Sequence, residues 1–248
     1  MIGRAAAATS DALRNEGARS AAIEPTPTES LVSLEGVWRH WGRGRNRWAV
    51  LRDINLQVAA GTAICVSGGN GAGKTTLLRI ATGILSPDTG RVSIDGITPD
   101  GNWRQYHQRI GYLSAGDRGL YARLSARAHL DYWAKVAFMP RADRRPAAEE
   151  ALVRFGLSQL ANRRADRLSQ GQRQRLRLAL SFVHRPSVLF LDEPRNSLDS
   201  DGLEILMGAV GELFARGGSV IWCSPLGEEQ PMMFDRRLRI EDGTLVPA

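Results

Sequence analysis

An α/β fold, with a mainly parallel sheet and helices on both of its faces, is what this sequence predicts. Three observations carry that expectation. The runs Ala63-Ile64-Cys65-Val66, Val188-Leu189-Phe190-Leu191 and Ser219-Val220-Ile221-Trp222-Cys223 lack the polar alternation of a half-wet strand, so both faces of each should be buried. Stretches of helical periodicity alternate with these runs. A glycine-rich turn joins the first run to a helix.

The elements follow in order. Residues 1 to about 30 are rich in Ala, Ser, Thr, Pro and Glu and read as a mobile arm. A helix over residues 10–22, capped by Ser10 or Asp11, is the competing reading. Leu31-Val32-Ser33-Leu34 and Ile54-Asn55-Leu56-Gln57-Val58 read as strands, with a basic turn at Arg43-Gly44-Arg45-Asn46-Arg47 between them. Residues 74–82 read as a helix and 91–96 as a strand and turn. Residues 120–168 read as mostly helical, with starts near Ser125 and Arg145 and a break at Phe138-Met139-Pro140. A helix over 172–184 is closed by Arg185-Pro186. Strand 188–191, helix 201–215 and strand 219–223 complete the pattern. No internal repeat is visible, so the chain holds one copy of one module.

Composition narrows the class. The 248 residues carry a net charge of +7, and 31 of the 33 basic residues are arginine; Lys74 and Lys135 are the two lysines. General codon bias accounts for the excess of arginine. Cys65 and Cys223 lie in apolar runs without metal-ligand spacing and read as reduced core residues of a cytosolic protein. No apolar stretch reaches the roughly 18–20 residues of a membrane span. The N-terminus lacks the apolar segment of a secretory signal.

The chemistry begins at Gly68-Gly69-Asn70-Gly71-Ala72-Gly73-Lys74-Thr75. This is the spacing of a phosphate loop, placed between a strand and a helix. Glycines let the backbone wrap closely round an anion, and the helix start presents free N–H groups to it. Lys74 supplies a compact ammonium for the β- and γ-phosphates. Thr75 offers a hydroxyl to Mg²⁺. A chain that spells nearly every cation as arginine keeps a lysine here.

A second constellation lies downstream. Leu168-Ser169-Gln170-Gly171-Gln172 is followed by Val188 to Leu191, Asp192-Glu193-Pro194, and then Ser197-Leu198-Asp199. Over roughly residues 31–245 this order and spacing resemble the nucleotide-binding subunits of ABC transporters. The resemblance implies a P-loop NTPase core with an antiparallel β subdomain and a helical subdomain at about 116–170. It implies ATP and Mg²⁺ as cofactors. Gly69, Asn70, Gly71, Ala72, Gly73, Lys74, Thr75 and Thr76 would bind the nucleotide, and Thr75 and Asp192 the metal. Glu193 would act as general base or water-orienting group. Ser169, Gln170 and Gly171, read as lying just before a helix, and Gln172 at its start would close on ATP held by a second such subunit. Asp199 would link the two sites across that dimer. An aromatic platform for adenine matches Trp41; Trp38 and Trp48 compete for it, and core packing is the alternative for all three.

The sequence also departs from the family. No Gln follows Ile110-Gly111-Tyr112-Leu113, where the family has one near Mg²⁺; Asp117 is a candidate substitute. After the last apolar run stands Ser224-Pro225, where the family has a His on the γ-phosphate, and a proline ring can neither donate to phosphate nor accept from it. Arg195 stands where Thr is usual; it pairs with phosphate or an acid, or is solvated surface. The expectation is an ATPase that turns over slowly.

The implied partner is an integral membrane permease, docked on the helical segment at the cytoplasmic face of the membrane. The stretch from Tyr112 to Ala134, with Gly119-Leu120-Tyr121-Ala122-Arg123-Leu124-Ser125-Ala126-Arg127 and Leu130-Asp131-Tyr132-Trp133-Ala134, resembles exporters whose ATPase and membrane parts are separate chains. A regulatory subunit with little hydrolysis is the alternative. Nucleic acid is not an expected partner: the chromosome-type relatives need a long coiled coil between the two constellations, and the 95 residues from Lys74 to Ser169 leave no room for it.

Overall fold

The computed structural model describes residues 30–116, 119–228 and 231–248, except the side chains of residues 196 and 197. The expected arm, its alternative helix and Asp117 lie outside these residues. Ser30, assigned to the arm by sequence, is instead the first residue of a strand.

Strands β1 (Ser30–Trp41) and β2 (Trp48–Ala59) are long antiparallel partners, and β4 (Thr89–Ile94) pairs with the other edge of β1. The basic turn between β1 and β2 is a single 3-10 turn at Gly44–Asn46. Among the described residues the second sheet has six strands. Its order is β5 (Ile110–Leu113), β6 (Val188–Asp192), β7 (Ser219–Ser224), β3 (Ala63–Ser67), β8 (Arg236–Glu241) and β9 (Thr244–Pro247). All neighbours are parallel except the closing β8–β9 pair. The three apolar runs are thus central strands, and both of their faces are covered.

Helix α1 (Lys74–Ala81) follows β3 directly. A short helix α2 (Trp103–Gln108), capped by Asn102, precedes β5; one and a half turns carry too little periodicity to stand out in the sequence. Helices α3 (Ala126–Val136), α4 (Arg141–Arg154) and α5 (Gln170–Phe182) lie between β5 and β6. Helix α4 starts at Arg141, not near Arg145. Pro140 stands at its N-cap, and Pro146 is tolerated inside the helix at the loss of one backbone hydrogen bond. Helix α5 starts at Gln170, so Gln170 and Gly171 lie with Gln172 in its first turn rather than preceding it. Helix α6 (Ser200–Ala215) leads into β7. The β8–β9 hairpin was not expected, because alternating arginines conceal Leu238 and Ile240, which are its inward residues.

The core divides at β6. Leu189 and Leu191 pack with α3 to α6, whereas Val188 and Phe190 pack with α1 and the antiparallel sheet. A period of two sends alternate residues to opposite layers. This strand therefore joins the helical half to the β half and delivers Asp192 at its end.

Candidate functional site

The C-terminal ends of β3, β6 and β7 lie side by side, since Ser67 pairs with Ser224 and Asp192 with Cys223. The loop from residue 68 to 73 leaves β3 at this edge. Gly73 sits at φ 112°, and a Cβ there would lie 3.0 Å from Val50 O and from Leu51 Cδ2, so only glycine fits. Gly73 is also the N-cap of α1, and no side chain caps that helix, which leaves its first N–H groups for an anion. Gly69, Asn70 and Gly71 are exposed, and Ala72 is half-buried. Thr75 and Thr76 lie half-buried in the first turn of α1.

Lys74 is only 4% exposed. Its Nζ donates to Gly68 O at 2.8 Å and Gly69 O at 3.1 Å, and lies 3.3 Å from Glu193 Oε1. Thr75 Oγ1 donates to Asp192 Oδ2 at 2.8 Å. Asp192 is buried, and no well-formed hydrogen bond completes its Oδ1 among the described residues. Burial raises its pKa, and the Thr75 hydroxyl works against that. A buried carboxylate oxygen that no well-formed hydrogen bond completes, beside a hydroxyl, is a fitting donor pair for a hard divalent cation. Glu193 takes a left-handed backbone, φ 49°, and its N–H is held by Cys223 O at 3.0 Å. That turn aims its side chain back towards Lys74. Pro225 is half-buried one residue beyond β7, at this same edge.

A second group lies at the start of α5. Ser169 Oγ accepts from the Gln172 N–H at 3.2 Å, and Gln172 Oε1 accepts from the Ser169 N–H at 3.0 Å. This reciprocal cap fixes the helix entry with Ser169 and Gln170 exposed. Asp199 caps α6 through Gly202 N–H at 2.8 Å. Its carboxylate lies so close to Gly171 that a Cβ there would meet Oδ2 at 2.8 Å.

Beside the phosphate loop opens a groove of about 600 Å³, lined by Trp48, Val50, Arg52, Asn70 and Gly71 among others. Trp48 is 58% exposed. Trp41 is its direct cross-strand partner, which puts the two indoles on one face of the sheet, and the Arg39 guanidinium lies 4.9 Å from the Trp41 ring. Trp38 stacks with His40 instead.

Sequence reasoning missed Arg177. Its side chain is buried in α5 and reaches the loop after β5. The signal was its place on the inward face with Gln174 and Ser181, at helical spacing.

Comparison with known proteins bears directly on this site. A profile of the ABC transporter family matches residues 51–196. The chain belongs to the ABC transporter family. It is 31% identical over 216 residues to the ABC transporter ATP-binding protein NatA of Bacillus subtilis, covering 87% of this chain and 88% of NatA. It is 38% identical over 199 residues to the cytochrome c biogenesis ATP-binding export protein CcmA of Bordetella bronchiseptica, covering 80% and 84%. Among solved structures, a dimeric post-hydrolysis state of the ATP-binding cassette MJ0796 with ADP and Pi superposes at a TM-score of 0.75 and 24% identity, covering 86% and 96%. The expected P-loop fold is thus the fold found. The ABC protein described here is an ATP-binding and ATP-hydrolysing subunit of a transporter. No helix among its described residues is long and apolar enough to cross a membrane.

Proposed function

We propose that this ABC subunit binds Mg-ATP at the edge of β3, β6 and β7, dimerises round it, and drives a separate membrane permease for export from the cytoplasmic face of the membrane. The observation that carries this is the meeting of Lys74 with Glu193 and of Thr75 with Asp192, two segments more than 110 residues apart. Export proteins among its relatives favour export, although import proteins are among the relatives too. Trp41, with Trp48 beside it, offers the adenine platform.

In this reading the N–H groups of residues 69–76 and the Lys74 ammonium hold the phosphates. Thr75 and Asp192 hold Mg²⁺, which when bound neutralises charge on the β- and γ-phosphate oxygens. Glu193 orients the attacking water and takes its proton. Ser169 and the first turn of α5, Gln170, Gly171 and Gln172, present a hydroxyl and helix-start N–H groups to ATP on the opposing subunit, with Asp199 beside them.

ATP turnover by the purified chain with its membrane partner, wild type beside Glu193→Gln, tests this. Loss of turnover with ATP binding retained is expected. Equal rates in the two would sink the assignment of Glu193. Pro225 favours a second reading, a regulatory subunit with little hydrolysis. A Pro225→His variant that gains turnover identifies the missing donor as the limit; no gain removes Pro225 as the cause.

A further inference from the structure

The loop leaving β5 runs beside the proposed metal carboxylate. Strands β5 and β6 are parallel with Leu113 paired to Leu191, so Ser114 and Ala115 emerge next to Asp192. The Ala115 N–H lies near enough to Asp192 to favour its charged form. Among the described residues, one side chain from another element grips this loop at several points. Arg177 Nη2 donates to Ser114 O at 2.6 Å and Ser114 Oγ at 3.1 Å. Its Nη1 donates to Gly116 O and, at 2.8 Å, to Gln174 Oε1. Arg177 is 5% exposed and Gln174 1% exposed, so neither is a solvated surface residue.

The planar fork holds two carbonyls of one short loop in a fixed relative geometry, which the compact, rotatable ammonium of a lysine does not impose. Arg177 sits in the third turn of α5, the helix whose N-cap is Ser169. A helix of 13 residues is stiff along its axis. A shift at its Ser169 end therefore moves the Arg177 fork, and with it the loop.

We propose that Arg177 is a positioning residue that fixes residues 114–116 beside Asp192 and ties them to the Ser169 end of α5. It thereby lets the anion site at the helix start set the geometry of the metal site, in a chain with no Gln in residues 114–117. The inference rests on Asp192 and Thr75 holding Mg²⁺.

The test uses the full chain with Arg177→Met and Arg177→Lys, compared by circular dichroism, amide exchange without nucleotide, and ATP affinity with and without Mg²⁺. In Arg177→Met, exchange at residues 114–116 should quicken about ten-fold or more as the loop loses its anchor. The Mg²⁺ concentration for half-maximal ATP binding should rise about ten-fold, the usual effect of losing an outer partner of a metal site. ATP affinity in EDTA should stay unchanged. Arg177→Lys should fall between wild type and Arg177→Met, since an ammonium keeps the charge and donors but not the rigid fork. Unchanged exchange and unchanged Mg²⁺ response in a folded variant would overturn the proposal. If Arg177→Met does not fold, the lysine variant decides by the same two readouts. Asp192→Asn separates the premises: a wild-type Mg²⁺ response there removes the metal reading, while the exchange result still decides whether Arg177 holds the loop.

Discussion

Lys74 shows how far one residue can be read. Its identity, in a chain with 31 arginines, already marks it in the sequence. The structure adds that it is buried and held by two carbonyls and a carboxylate. Lys74→Ala should lower ATP affinity by at least about ten-fold, the loss of a charge-assisted contact, as measured by calorimetry. The histidines could not be read this way, because burial is a tertiary property. His184 Nε2–H donates to Ile110 O at 2.8 Å, and burial pushes its pKa down to about 4. His129 accepts the Tyr121 N–H and contacts Ser125 O, and burial lowers its pKa as well. Both are neutral in the folded protein, whereas the unfolded chain binds their protons below about pH 6.5. Stability should therefore be full above that pH and fall as pH drops from about 6.5 towards 4. His184 alone contributes on the order of 3 kcal/mol to the fall. Denaturant melts at pH 7 and pH 5 measure it, and a His184→Gln variant should flatten the difference.

At the level of elements, strands and helices with strong internal pattern are legible and those shaped by their neighbours are not. The buried runs β3, β6 and β7 are unbroken apolar text. Helix α2 and the β8–β9 hairpin are short, polar on one side, and stabilised by docking. Helix α4 shows why its start was misplaced: Pro146 looks like a first helical residue, yet Pro140 already sets the entry and Asp143 lies in the first turn. Close approach between elements is equally hidden. Gly111 in β5 packs so tightly on α5 that a Cβ would lie 2.4 Å from Ser181 O and 2.9 Å from Pro186 Cγ. Gly111→Ala should destabilise the fold by about 1–3 kcal/mol through overpacking, read as a lowered melting midpoint. Ser169→Ala should remove one half of the reciprocal cap on α5 and destabilise by about 1 kcal/mol. It should also abolish ATP-driven dimerisation, an effect too large for that stability change to explain.

For the whole molecule, the order of constellations along the chain was legible in the residues themselves, whereas their convergence was expected only through the family resemblance. Sequence shows Lys74 and Glu193 as distant; parallel pairing of β3, β7 and β6 brings them within 3.3 Å. The proposed assembly predicts that Glu193→Gln with ATP elutes at twice the mass it shows with ADP. A single mass under both conditions would refute homodimerisation and favour a different partner cassette. The Lys74–Glu193 contact has a consequence for the catalytic cycle. The ammonium that should grip the γ-phosphate and the carboxylate that should attack through water are each other's counter-ion. A phosphate entering the loop must displace that carboxylate, and the displacement sets Glu193 free to face the water. In the proposed cycle substrate would thus arm the base by taking its partner, and the same contact would re-form when phosphate departs, with the carboxylate standing in for the phosphate it helps release.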